Sequence, residues 1–267
     1  MTAQTRSEIA ALLANHGLSP SRRLGQHFLA DANITRRIVA LAGVGPGEQV
    51  VEVGAGTGTL TRALAGTGAH VVAYEIDPGL LPVLEEVTTG FDVQLRSLDV
   101  TSSDLATDLG GGMWVMVANL PFNVGTPLLL DALRRVPRIQ RFVVMVQREV
   151  AERLVAGPGS RQYGLPSVVA GIHARGNLAF RVPPQVFYPS PKVDSAVVAL
   201  DRVPAPANAD RAIEIAAAGF NQRRKMLRRS LAGLFDDPVS SLEGAGLDPT
   251  SRAEDLSPAD YLRLARQ

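Results

Sequence analysis

Four short stretches of this 267-residue chain carry side chains whose types and spacing suit one kind of chemistry. Asn119-Leu120-Pro121-Phe122 follows the apolar run 113–118. A side-chain carbonyl beside a backbone carbonyl can accept both hydrogens of a planar exocyclic amine and aim its lone pair at a methyl donor. That help matters for the amine of adenine, whose lone pair is delocalised into the ring. Proline stiffens such a turn, and an aromatic ring offers a face on which a base can stack. A strand ending in Asn-x-Pro is also an ordinary turn, so the weight falls on the rest of the chain.

Upstream, Val50-Val51-Glu52-Val53-Gly54-Ala55-Gly56-Thr57-Gly58 reads as a strand entering a glycine-rich turn and then a helix. Gly54 and Gly56 allow a close backbone approach to a ligand that a side chain would block. Their Gly-x-Gly-x-Gly spacing is not the Gly-x-Gly-x-x-Gly of dinucleotide enzymes, which disfavours a NAD-linked oxidoreductase. Glu75, followed by Ile76, ends the next apolar run, where an acid can take both hydroxyls of a ribose. Asp99, followed by Val100, ends the third, placed to accept from an adenine amine, and Asn119 ends the fourth. Ligands of open parallel sheets bind outside the carboxyl ends of the strands. The four features in order describe a site for S-adenosylmethionine beside a site for an amine, the plan of a class I methyltransferase.

The elements that must position these residues are short. Runs 49–53, 70–76, 93–98, 114–118 and 141–147 read as strands, and 196–200 as a late one. Segments 59–65, 79–87 and 127–135 between them are rich in Leu, Ala and charge. The expected fold class is α/β: a Rossmann-like, mostly parallel sheet with helices on both faces. Residues 1–202 form the catalytic domain in this reading. After Val203, Pro204-Ala205-Pro206-Ala207 reads as a linker, and 203–267 form a small helical domain. At the other end, Ile9, Leu12 and Leu13 suggest a short amphipathic helix within 1–17.

Composition narrows the classes. A hydrophobic fraction of 46% and a charged fraction of 20% are those of an ordinary globular protein. Zero cysteines exclude disulfides, thiol nucleophiles and thiolate metal sites, and the chemistry proposed needs no metal. No apolar run approaches a membrane span, and without an export signal the expected location is the cytoplasm. His70 and His173 read as structural. Net charge is +1, yet cations cluster at Arg22-Arg23, Arg36-Arg37 and Arg223-Arg224-Lys225 with Arg228-Arg229. Each cluster is either a phosphate-binding surface or a solvated face; the lack of any acid from 223 to 229 favours binding.

The resemblance to a known family is specific. Ser21-Arg22-Arg23-Leu24-Gly25-Gln26-His27-Phe28-Leu29 resembles the Gly-Gln-Asn/His-Phe-Leu segment of the rRNA adenine dimethyltransferases. The glycine turn, Glu75-Ile76-Asp77, Asp99-Val100 and Asn119-Leu120-Pro121-Phe122 match the same pattern in order. Stretch 186–195 resembles the Phe-x-Pro-x-Pro-x-Val-Asp-Ser motif of the KsgA/RsmA branch, and 220–227 its basic helix. The match runs from about 18 to 264.

That resemblance implies a cofactor pocket of His27, Leu29, Gly54, Gly56, Glu75, Ile76, Asp99, Val100 and Asn119 for S-adenosylmethionine. Asn119 and the Leu120 carbonyl would hold the target amine while Phe122 stacks on the base. The family more often has Tyr at that last position; Phe122 keeps the π-face without the hydroxyl. Phe187 is either a second wall of the target pocket or a core aromatic. Arg22, Arg23, Arg223, Arg224, Lys225 and Arg228 would contact RNA phosphates. The implied substrate is two neighbouring adenosines in a hairpin loop near the 3′ end of small-subunit rRNA, within a pre-ribosomal particle, with the enzyme a monomer. An Erm-type enzyme acting on large-subunit rRNA, and an RNA-binding assembly factor without turnover, are the alternatives.

Overall fold

Residues 4–267 are described by the computed structural model. Among the described residues nine strands form: β1 (Phe28–Leu29), β2 (Gln49–Val53), β3 (His70–Glu75), β4 (Val93–Ser97), β5 (Trp114–Asn119), β6 (Ile139–Gln147), β7 (Ala174–Val182), β8 (Phe187–Tyr188) and β9 (Ser195–Arg202). Seven of them make one sheet in the order β4-β3-β2-β5-β6-β9-β7. Pairings from β4 through β6 are all parallel, and β9 runs antiparallel to β6. The central strands are near-continuous apolar runs because both faces are covered: Val50, Val51, Val71, Val72, Met116, Val117 and Val143 are all buried.

Strand order sets the position of the site. The chain steps from β2 outward to β3 and β4, then returns to place β5 on the other side of β2. Right-handed crossovers in opposite directions put helices on opposite faces of the sheet. They also leave a crevice where the order reverses, between the carboxyl ends of β2 and β5. Helix Gly125–Arg135 follows β5, and its last turn is capped from across the sheet. The Arg202 guanidinium donates to the carbonyls of Ala132, Leu133 and Val136 at 3.1, 2.7 and 2.9 Å. A fork of donors at a helix C-terminus satisfies end carbonyls; that of Ala132 is shared with the Val136 N–H.

Two compact units are formed: residues up to Ala151 with Gly176–Arg202, and Glu152–Arg175 with Val203–Gln267. The sequence reading divided the chain once, at 202/203; the structure also assigns 152–175 to the second unit. The reason is apolar. Helix Leu165–His173 buries Val168, Val169 and Ile172, and buried Tyr163 donates its hydroxyl to the Leu256 carbonyl at 2.8 Å. The Phe220 ring meets Tyr163 edge-on and Tyr261 at a tilt, at 5.9 and 6.5 Å between ring centroids. The sequence reading also missed β7, whose Gly176, Asn177 and Arg181 break the apolar pattern, and the two-residue strands β1 and β8. At the N-terminus, helix Arg6–Asn15 buries Ile9 and Leu13 and starts with a Thr5–Glu8 capping box. No described helix is long and apolar enough to cross a membrane.

Candidate active site

The turn after β2 takes three left-handed glycines: Gly54 at φ +79, Gly56 at +59 and Gly58 at +80. Two of them are also sterically required. A Cβ on Gly56 would lie 2.9 Å from the Phe28 ring, and one on Gly58 would lie 2.5 Å from the Val87 side chain. The turn is pinned to the neighbouring strand, because Gly54 and Ala55 both donate to the Tyr74 carbonyl, at 2.9 and 3.1 Å. Helix Thr59–Ala65 starts directly after it.

Glu75 closes β3 and is 5% exposed. Its Oε2 accepts the Gly56 N–H at 2.8 Å and its Oε1 the Asp77 N–H at 2.9 Å. Burial raises the pKa of this carboxyl, and those two backbone donors pull it part of the way back. Each oxygen keeps a lone pair for a further donor. Asp77 in turn accepts from Gln26 Nε2 at 2.8 Å, so the segment before β1 is tied to the end of β3. Half-buried Asp99 caps its own turn, with Oδ1 accepting from the Thr101 N–H and hydroxyl at 2.9 and 2.7 Å.

At the end of β5, Asn119 Nδ2 donates to the His27 carbonyl at 3.0 Å. A carbonyl can only accept, so this contact fixes the amide orientation and leaves Oδ1 as the open acceptor. The following carbonyls differ in availability. That of Pro121 is taken by the N–H groups of Val124 and Gly125 at 3.3 and 2.8 Å, which leaves Leu120 as the nearer second acceptor. The same reasoning fixes the His27 tautomer: Nδ1 lies 2.8 Å from the Pro189 carbonyl and must carry the proton. The His27 and Phe122 rings lie 5.5 Å apart between centroids.

All nine residues expected to hold a cofactor line one cavity, together with Leu120, Pro121 and Phe122. Ile76 and Leu98, large apolar side chains 45% and 38% exposed, form part of its wall. Sequence reasoning passed over Leu98 and, more importantly, Glu52. Glu52 is 1% exposed, and its Oε2 has no hydrogen-bond partner among the described residues. Burial pushes its carboxyl up to about 8; the Thr61 hydroxyl opposes this and the Glu75 carboxylate adds to it. An acid inside an apolar strand, next to a glycine turn, was the available signal.

This acid has a consequence for stability. Its folded-state pKa exceeds the ordinary 4.5, so the folded protein binds the proton more tightly than the unfolded chain. Stability contributed by the neutral form is present below pH 4.5 and is lost as pH rises toward about 8. Melting temperature is therefore expected to fall over that window in the wild type and to change less in Glu52→Gln. Parallel pH profiles of the two proteins would show that Glu52 ionises normally.

One open alternative is decided and two expectations change. Phe187 is fully buried, in the apolar cluster that holds Leu29, Ile38 and Leu60, and its backbone pairs with Leu29 across β1 and β8. It is a core aromatic in this structure and not a wall of the pocket. The expected basic helix is not one helix: Ala209–Asn221 ends before the cations, 222–225 form a turn and bend, and a short helix Leu227–Ser230 follows. Arg223 has an acid after all, since its Nε donates to Glu254 at 2.8 Å. Arg22, Arg23, Arg224, Lys225 and Arg228 are exposed.

The model of the ribosomal RNA adenine dimethylase family matches residues 18–267. The chain belongs to that family. A ribosomal RNA small subunit methyltransferase A from Leifsonia xyli subsp. xyli is 45% identical, over 97% of this chain and 96% of the relative. The protein of the same name from Nocardia farcinica is 44% identical, over 98% and 94%. Among solved structures, the 23S rRNA methyltransferase ErmE is 26% identical, with a TM-score of 0.69 over 90% of this chain and 98% of that one. A dimethyladenosine transferase from Plasmodium falciparum, 22% identical, shares the fold at a TM-score of 0.76, covering 89% and 96%. The adenine dimethylase fold is thus the class I methyltransferase fold expected from the order of the strand-end residues.

Proposed function

We propose that this chain transfers methyl groups from S-adenosylmethionine to the N6 amines of two adjacent adenosines in a hairpin loop near the 3′ end of small-subunit rRNA. The products are N6,N6-dimethyladenosines, formed during small-subunit biogenesis in the cytoplasm by a monomer acting on a pre-ribosomal particle. The observation that carries the chemistry is the open Oδ1 of Asn119, oriented by the His27 carbonyl beside the glycine turn. The near-full-length likeness to small subunit methyltransferases supports the choice of substrate.

The residues present fit the cofactor. The left-handed turn at Gly54 and Gly56 offers backbone where a Cβ would stand, and Glu75 keeps lone pairs for two hydroxyls. Ile76 and Val100 supply apolar surface for an adenine, and Asp99 an acceptor for its amine. His27 and Leu29 close the side formed by the segment before β1. When bound, S-adenosylmethionine supplies an electrophilic methyl group on a sulfonium.

The chain's own part is positioning. Asn119 Oδ1 and the Leu120 carbonyl accept the two hydrogens of the target amine, and Phe122 stacks on its base. Two reactants held at near-attack distance account for most of the acceleration such a site can give. After transfer the nitrogen is cationic and its proton leaves to water, so no side chain is assigned as a base. The target adenine must leave its stack, which suits a loop.

Radiolabelled methyl transfer tests the reading on two substrates. Label is expected in small subunits from cells lacking the 3′-end dimethyladenosines, recovered as N6,N6-dimethyladenosine. Label only in protein-free large-subunit rRNA would make this an Erm-type enzyme, and label in neither would point to a binding factor.

Exposed Arg22, Arg23, Arg224, Lys225 and Arg228 supply phosphate contacts that fix register without reading sequence. Arg223 contributes less, being engaged by Glu254. Changing Arg224, Lys225 and Arg228 to glutamine should weaken RNA binding and flatten the log-log salt slope by about 2 to 3. Filter binding across a salt series reads both, and an unchanged slope would make these residues a solvated face.

A further inference from the structure

A second cavity, of about 350 Å³, lies outside the site described above. Small-molecule sites commonly span roughly 300–1,000 Å³. Its lining comes from helix Ala32–Ala42, from helix Thr59–Ala65, and from Gln4 and Thr67. Arg36 and Arg62 contribute two guanidiniums, and among the described residues no carboxylate lines the space.

The polar groups there are unevenly satisfied. Arg62 Nε is buried and has no hydrogen-bond partner among the described residues. A buried charged donor without an acceptor costs free energy, and native proteins keep few of them unless an acceptor arrives from elsewhere. Arg36 is exposed and gives only Nη2 to Asn33 Oδ1. Gln4 Nε2 gives one hydrogen to the Thr57 carbonyl at 3.0 Å and, among the described residues, keeps the other. By contrast, the hydroxyls of Thr35, Thr59 and Thr67 already donate, to the Asp31 carbonyl, Gln4 Oε1 and the Leu64 carbonyl. Among the described residues the donors left over are therefore guanidinium and amide N–H groups, beside the apolar surface of Ala32, Val39 and Ala63; Arg62 Nε is itself covered by protein and reaches a ligand in the cavity only once its side chain turns.

Guanidiniums match phosphate oxygens in geometry and charge. The volume exceeds what an inorganic anion needs: at ~30 Å³ per water it holds roughly ten waters. We propose that this cavity is a binding site for a phosphate ester of nucleotide size, with Arg62 and Arg36 on the phosphate and the sugar or base over the alanine and valine surface. The phosphate belongs either to a free nucleotide or to a strand of RNA.

Calorimetric titration of the full chain tests this with three probes free of adenine, so that the first cavity does not compete. The probes are inorganic phosphate, cytidine 5′-monophosphate and pentacytidylate. Cytidine 5′-monophosphate is expected to saturate one site and to bind more tightly than phosphate. Arg62→Gln should weaken it about tenfold, the loss expected for a hydrogen bond to a charged group. Arg36→Gln should weaken it too, and that exposed position serves if the Arg62 variant does not fold. Tighter binding of pentacytidylate, equally sensitive to Arg62, would assign the phosphate to an RNA strand; otherwise the ligand is a free nucleotide. No saturable binding, equal affinity for inorganic phosphate, or affinities unmoved by both variants would overturn the site. None of these readouts needs methyl transfer, so the outcome is independent of the proposed activity.

Discussion

Asn119→Ala is expected to lower single-turnover methyl transfer by about 10²–10³-fold, the usual loss when one positioned polar contact is removed from a reacting centre. Cofactor affinity should change far less, because the glycine turn, Glu75 and Asp99 remain. The structure adds a second arm to this test. Asn119 uses Nδ2 to hold the His27 carbonyl at 3.0 Å, so its acceptor is oriented by its own donor. Asn119→Asp keeps acceptors but has no N–H to give, and would set two oxygens against each other. It should fail nearly as badly as alanine, although it resembles asparagine in shape. A rapid-quench assay with labelled cofactor reads the rate, and calorimetry the affinity. Wild-type rates in the alanine variant would sink the amine-clamp role.

Gly54→Ala should damage binding and turnover together. Gly54 sits at φ +79, where a side chain costs roughly 1–2 kcal/mol. The added Cβ would also lie 3.3 Å from Pro121 Cδ, so the turn carrying the clamp must yield by a few tenths of an ångström. Small displacements at a reacting centre are expensive, about 10²-fold for 1 Å. The expected result is a stability loss of roughly 1–2 kcal/mol with at least a tenfold loss of turnover. Gly90→Ala is the control: φ is +82, but nothing lies within 4 Å of the added carbon. It should show the strain without the loss of activity. Equal activity in the two variants would show that Pro121 does not transmit the change.

What could be read from the sequence was whatever chain order alone dictates. Apolar runs ending in Gly54, Glu75, Asp99 and Asn119 mark parallel strands, and parallel strands bring their ends to one edge. The crevice between β2 and β5 follows from that without any knowledge of side-chain contacts. What depends on three-dimensional neighbours was not legible. Phe187 reads equally as a pocket wall or a core aromatic until β8 pairs with β1 and turns it inward. Arg223 looks free until Glu254, 31 residues later, arrives beside it. Glu52 stands out in the sequence as an acid inside an apolar strand, but the burial that pushes its carboxyl up to about 8 is not visible there. Segment 152–175 reads as more of the first domain because its helix is as apolar as those around the sheet.

The order β4-β3-β2-β5 also bears on how the chain emerges from a ribosome. Once Ser97 has left the exit tunnel, β2, β3 and β4 are free to pair, but the partner for the other side of β2 is still enclosed in the tunnel. A nascent sheet then presents an open apolar edge at Gln49, Val50 and Val51, the kind of template that recruits wrong strands. Trp114–Asn119 covers that edge when it arrives. Its last residue is Asn119, the proposed amine clamp, so the step that protects the newborn chain from misassociation also brings that residue to the edge where the site forms.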